Sequence, residues 1–326
     1  MNSRERVQAI LRHQPADRMP LTLDVGGGDG ISGPYLKLFQ QKTASASPAD
    51  YFDYDIRTVP VSLIPQATDF TSYHPHIPDG SVFDEFGVGR LASDTFPLGL
   101  ILSPWERFTE IQQVIDYPFP TFELNPLTLA EIERQHTRGY AVSVAAGSIN
   151  EWGYYLRSMP ELMVDLAERP AMAEVILEKV TELSTQVGTR LADAGADIIC
   201  FYGDTGGQGS LLMSPKMWRR WIKPRWLRIF TAVHQANPQA LVFFHSCGYI
   251  EPIIPDLIEI GLDILNPVQP EVMDPIQIKQ KYGNQLSLWG GIGLQTTMKQ
   301  PVEQVHQAVR DLMDAWTPGG DRKSVV

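Results

Sequence analysis

Short apolar, β-prone runs alternate with amphipathic stretches along most of the chain. Tyr140 to Ala145, Asp197 to Tyr202, Ala240 to His245, Asp263 to Leu265 and Leu286 to Trp289 read as buried strands. Between them lie helical patterns. Pro170 to Leu191 is a long amphipathic segment closed by Gly195, and Ser214-Pro215 opens a helix that carries Trp218 and Trp221. Ile253 to Ile260, the stretch after Asp274-Pro275, and Val302 to Ala315 continue the series. Nearer the start, Ser3 to His13 places Val7, Ile10 and Leu11 on one helical face, and Pro15 ends it. Arg18 to Asp24 and Asp53 to Val59 read as two further strands, the first running into Gly26-Gly27-Gly28. Asn125-Pro126 begins a helix that Gly139 ends, and Ser158-Met159-Pro160-Glu161 has the capping-box spacing.

Strands that alternate with helices imply a parallel sheet with right-handed crossovers. The chain is therefore expected to be a single α/β domain over residues 1–326, a (β/α)8 TIM-type barrel. Seven strands are countable, near residues 21, 55, 141, 198, 241, 264 and 287. Gly319-Gly320 looks like a helix-to-strand link, but no strand pattern follows it before Val326. The last strand is thus expected to be missing, leaving two unpaired edges. From Ile64 to Trp105 the pattern changes to short alternating runs rich in Pro, Gly and aromatic residues, the signature of an inserted β-meander.

Composition narrows the functional classes. The 326 residues are 43% hydrophobic and 20% charged, as in soluble globular proteins. A net charge of −11 argues against nonspecific nucleic-acid binding. Two cysteines, Cys200 and Cys247, make no disulfide framework and suit a reducing compartment. The N-terminal stretch lacks the apolar core of a signal peptide, and no apolar window is long enough to span a membrane. A cytoplasmic enzyme is expected.

In such a barrel, polar residues just past the strands converge on one mouth. The run Leu241-Val242-Phe243-Phe244 ends in His245-Ser246-Cys247-Gly248, and imidazole beside thiolate suggests a zinc site. Glu151 and Asp204 follow other strands and are candidates for a third ligand or for proton handling, with Asp55 a further catalytic candidate. Asp24, Asn266 and Gln269 are candidates for binding substrate. Cys200 lies mid-strand and reads as structural. The adjacent glycines do not match the spaced dinucleotide fingerprint. Zinc on such ligands lowers the pKa of a bound thiol so that it can attack an activated methyl group; with water in the open position it would instead serve hydrolysis.

Together, Phe244-His245-Ser246-Cys247-Gly248, Leu265-Asn266-Pro267-Val268-Gln269-Pro270 and Trp289-Gly290-Gly291-Ile292 resemble the uroporphyrinogen decarboxylase superfamily over about residues 3–316. The resemblance implies a (β/α) barrel and one of two activities. In the cobalamin-linked methyltransferases a His-x-Cys pair binds zinc, and the zinc activates a thiol such as coenzyme M; His245 and Cys247 match that pair. The family's further cysteine ligand has no counterpart, because no cysteine follows Cys247. True decarboxylases carry an arginine-rich motif after the first strand that grips a porphyrinogen. Here that place reads Asp24-Val25-Gly26-Gly27-Gly28-Asp29. Asp55 is the match considered for their catalytic aspartate. The resemblance therefore implies a methyltransferase-like enzyme that takes a methyl group from methylcobalamin on a corrinoid partner protein and passes it to a small-molecule acceptor. The alternatives are a carboxy-lyase of tetrapyrrole biosynthesis and a non-catalytic corrinoid-binding accessory protein. A homodimer is a further expectation.

Overall fold

The buried runs line up side by side. In this computed structural model, which describes residues 1–23, 30–31, 33–92, 99–316 and the backbone of 324–325, ten strands are formed. They are β1 (Ile56–Thr58), β2 (Val82–Phe83), β3 (Gly89–Leu91), β4 (Leu100–Leu102), β5 (Ala141–Ser148), β6 (Ile198–Tyr202), β7 (Leu241–His245), β8 (Ile264–Asn266), β9 (Ser287–Trp289) and β10 (Ser324–Val325). The main sheet has the order β1-β5-β6-β7-β8-β9-β10, and every neighbouring pair is parallel. Helices such as Pro170–Asp193 and Lys223–Ala236 make the crossovers.

The sheet curls into a TIM-type barrel, and its interior shows this directly. One buried cluster gathers Ile56, Ala141, Ile198, Cys200, Leu241, Phe243, Ile264 and Trp289, side chains from six strands. The same cluster includes Val7 and Leu11 of α1 (Ser3–Leu11), so this helix plugs one end of the barrel. α1 starts at a capping box between Asn2 and Glu5, which satisfies two of its otherwise orphaned backbone donors. The plugged end is the N-terminal end of the strands. Asp197, just before β6, accepts from Arg4 Nε and Gln8 Nε2, each at 2.9 Å. Asp55, just before β1, accepts from Arg6 Nη1 at 2.6 Å.

Two strand expectations change. Residues 18–23 are not a strand, and Asp24 lies outside the described residues. Pro20 has no N–H to give a ladder, and the Leu21 N–H is taken by Asp55 Oδ2 at 2.7 Å. The segment still runs beside β1, for Asp55 N–H donates to Leu21 O at 2.9 Å. At the other edge, where a strand was expected to be absent, β10 pairs with β9 through Ser324–Leu288 and Val325–Trp289.

Within the expected insertion, β2, β3 and β4 form a three-stranded antiparallel sheet. It leads to a buried clamp on the barrel. The Trp105 N–H donates to Leu156 O at 2.8 Å, and the fully buried Arg157 donates to Trp105 O and to Phe108 O while pairing with the equally buried Asp165 at 2.7 Å. Among the described residues, no helix is long and apolar enough to cross a membrane.

Candidate metal centre and its cavity

Strand register assembles the site. Tyr202, the last residue of β6, pairs with His245 at the end of β7, and His245 pairs with Asn266 at the end of β8. Asp204 and Cys247 each lie two residues past the paired Tyr202 and His245, so the two loops carry them out side by side. The Cys247 N–H donates to Asp204 Oδ1 at 2.7 Å. His245 Nε2 is 3.4 Å from Cys247 Sγ and 3.7 Å from Asp204 Oδ1. One ligand atom from each of Asp204, His245 and Cys247 lies within 4.8 Å of the others.

The two loops also interlock. Tyr249 N–H donates to Gly207 O at 2.8 Å. A Cβ on Gly206 would lie 2.6 Å from Cys247 O, and one on Gly248, whose φ is +79°, would lie 2.3 Å from Gly206 O. Only glycine permits this approach at both positions. Beneath them, Thr205 N–H donates to Ser246 Oγ at 3.1 Å and Asn150 Nδ2 donates to Thr205 Oγ1 at 2.8 Å, all within buried structure. Gln269 Oε1 accepts from Gly248 N–H at 2.8 Å.

These residues fit a zinc ion. Ideal Zn–S and Zn–N bonds at a tetrahedral angle place nitrogen and sulfur about 3.5 Å apart, close to the 3.4 Å observed between His245 and Cys247. Sulfur, imidazole nitrogen and carboxylate oxygen make an acceptable donor set, with a fourth position left for a substrate. Burial, with the nearby charges of Asp204 and Glu151, pushes the Cys247 thiol up to about 12. A metal must therefore displace a proton from this sulfur.

A cavity of about 370 Å³ opens beside the cluster, lined among others by Glu151, Tyr154, Tyr155, Met159, Asp204 and Leu212. Glu151 lies in the first turn of the helix Asn150–Arg157, which follows β5 after a register shift between Ala145 and Gly147. Burial, reinforced by the charge of Asp204, pushes the Glu151 carboxyl up to about 7, with Arg90 of β3 acting in the opposite sense. The Asp204 N–H points at Glu151 Oε1 from 3.3 Å.

The structure thus brings Glu151, Asp204, His245 and Cys247 to one mouth. Asp55 is not there. It precedes β1 at the plugged end, fully buried, and is gripped by Arg6, Arg18 and the Leu21 N–H. These bonds hold its carboxyl below the usual range against the cost of burial. Asn266 and Gln269 lie under the mouth but do not line the cavity, and their side-chain oxygens are engaged by His245 and by Gly248. Tyr154 and Tyr155 were not singled out from the sequence. Their signal was helical spacing, since Tyr154 falls four residues after Asn150 and Tyr155 four after Glu151 on the helix Asn150–Arg157.

The sequence pattern of the family described as uroporphyrinogen decarboxylase (URO-D) matches residues 117–323, more than half of the chain. The chain belongs to the URO-D family. The matched span contains every described member of the metal cluster and most of the cavity wall. No curated protein matches this URO-D chain. Among solved structures, a methyltransferase from Methanosarcina mazei superposes with a TM-score of 0.67 at 16% identity, covering 100% of the URO-D chain and 92% of the other. That likeness establishes the fold. A GH10 endoxylanase retrieved from a sugarcane soil metagenome overlaps with a TM-score of only 0.31, at 13% identity over 60% of this chain and 51% of its own, and carries no argument.

Proposed function

We propose that this URO-D family member is a methyltransferase that passes a methyl group from a corrinoid on a partner protein to a thiol acceptor at a zinc site. The observation that carries the reading is the Asp204–His245–Cys247 cluster, three ligand atoms of suitable chemistry within 4.8 Å beside a cavity. Asp204 would serve as the third ligand in a chain that lacks the family's further cysteine. Zinc held by these three residues would supply a Lewis acid that favours the thiolate form of a bound thiol. The chain's own groups complete the site. Glu151, with its carboxyl near neutrality, takes up a proton at the cavity wall. Tyr154, Tyr155, Met159 and Leu212 surround the cavity with largely apolar surface that limits water. The corrinoid donor rests on the resemblance of the motifs around His245, Asn266 and Trp289. A reducing, cytoplasmic setting suits a site built on a free thiol.

The charges of the cavity oppose the decarboxylase reading. Its acidic residues are Glu151 and Asp204, and carboxylates repel a porphyrinogen with many carboxylates of its own. Elemental analysis of protein produced with zinc is expected to give about one zinc per chain, reduced in Cys247→Ala and in Asp204→Ala. Methylcobalamin mixed anaerobically with wild type and a panel of thiols is expected to lose its methyl group, read from the cobalamin absorbance. Zinc content unchanged in Cys247→Ala would sink the metal assignment. Turnover of uroporphyrinogen without methyl transfer would favour the carboxy-lyase, and tight corrinoid binding with neither activity the accessory protein.

A further inference from the structure

We infer that Asn266 is a positioning residue for His245, and that it works by fixing which ring nitrogen carries the proton. The inference rests on the reading of His245 as a metal ligand. Asn266 ends β8 directly beside His245 in the parallel ladder, and it is buried. Its Nδ2 donates to the backbone carbonyl of Trp289, at the end of β9, at 2.9 Å. A carbonyl accepts only, so the amide is oriented with nitrogen toward Trp289 and Oδ1 toward His245. The reversed amide would set two acceptors, Oδ1 and Trp289 O, against each other.

Asn266 Oδ1 lies 2.6 Å from His245 Nδ1. An amide oxygen cannot donate, so Nδ1 must carry the hydrogen. In the neutral ring Nε2 then holds the lone pair, and Nε2 is the atom near Cys247 Sγ and Asp204. The carbonyl of Trp289 is itself held by the turn that follows. Gly291 N–H donates to Pro267 O at 2.7 Å. Gly290 adopts φ +118°, and a Cβ there would lie 2.4 Å from the same oxygen. Three strand ends thus share one chain of fixed polarity, from Trp289 O through the Asn266 amide to the imidazole, and its last atom faces the metal position. Ligating histidines are commonly oriented in this way by an acceptor on the second nitrogen.

Two measurements test this. In metal-free wild type, at a pH well above the ordinary imidazole range, the ¹⁵N spectrum of the histidine rings is expected to show His245 protonated at Nδ1 and bare at Nε2, with the signal assigned by its loss in His245→Gln. Cobalt(II) is then titrated as a spectroscopic probe, because its ligand-field and sulfur charge-transfer bands report tetrahedral geometry and the thiolate bond. Asn266→Leu is expected to weaken cobalt binding about 10- to 100-fold. Asn266→Asp keeps both contacts only as the protonated acid, its O–H donating to Trp289 O and its other oxygen accepting from Nδ1–H, and in that form is expected to recover most of that loss. A wild-type ring protonated at Nε2, or equal cobalt affinity in Asn266→Leu and wild type, would overturn the inference. Should wild type bind no cobalt at all, the metal reading fails, while the ring spectrum still decides the tautomer by itself.

Discussion

Glu151 shows how one side chain ties the site to the stability of the fold. Its carboxyl holds a proton to about 7, against 4.5 for an ordinary glutamate. Between those values the folded chain binds more protons at this position than the unfolded chain does. Stability contributed here is therefore lost as pH rises through the window. Glu151→Gln removes the dependence. Urea denaturation in chelator is expected to show the variant gaining on wild type between about pH 4 and pH 8, by on the order of 1–3 kcal/mol. A constant difference across that range would remove the buried-carboxyl account. His245 and Cys247 were legible in the sequence because an apolar run ends visibly at Phe244, and Asp204 was legible by the same two-residue offset from its strand. Asp55 was misplaced for an equally physical reason. An aspartate next to a three-residue strand looks the same whether it stands at the entrance or the exit. Asn266 was read as a substrate contact because an amide's role depends on what faces each of its ends, which sequence does not show.

The antiparallel sheet of β2 to β4 was visible as an element, whereas the contacts at Trp105 and Arg157 that follow it were not. Alternation marks β2 to β4, but nothing in the helical stretch around Arg157 marks it in the sequence as a buried cation. In the folded chain it is fully buried against Asp165 and the carbonyls of Trp105 and Phe108. Breaking a buried pair leaves its partner charged and poorly solvated, typically at about 3–5 kcal/mol. Arg169, which reaches Asp165 Oδ1 at 2.7 Å from a half-exposed position, offsets part of that. Arg157→Met is accordingly expected to lower unfolding free energy by about 3 kcal/mol, read from urea midpoints. A change under about 1 kcal/mol would show that the clamp does not stabilise the fold.

For the whole molecule, the alternation of strands and helices was enough to give the barrel, because its period survives in almost every segment after Tyr140. Two features escaped it. β10 has two residues, too few to make a pattern, and α1 has an apolar face like that of any surface helix, with nothing to show that it closes a barrel. The two ends of the strands have different work. Arg4, Arg6 and Arg18 neutralise Asp197 and Asp55 at the plugged end, where the His136 ring also hydrogen-bonds Asp197, whereas the mouth keeps acids beside a thiol. This division separates the chain's two cysteines. Cys200 is sealed inside the barrel with no exposed surface, and Cys247 stands at the mouth. The native protein consequently carries a built-in reporter, a single addressable sulfur. Iodoacetamide followed by intact mass is expected to give one slow adduct on the native chain and two in urea, the native adduct being suppressed by bound zinc. Two adducts without urea would mean that the barrel opens. With only Cys247 reactive, labelling rate becomes a direct gauge of how full the site is, requiring neither a substrate nor an assay of turnover.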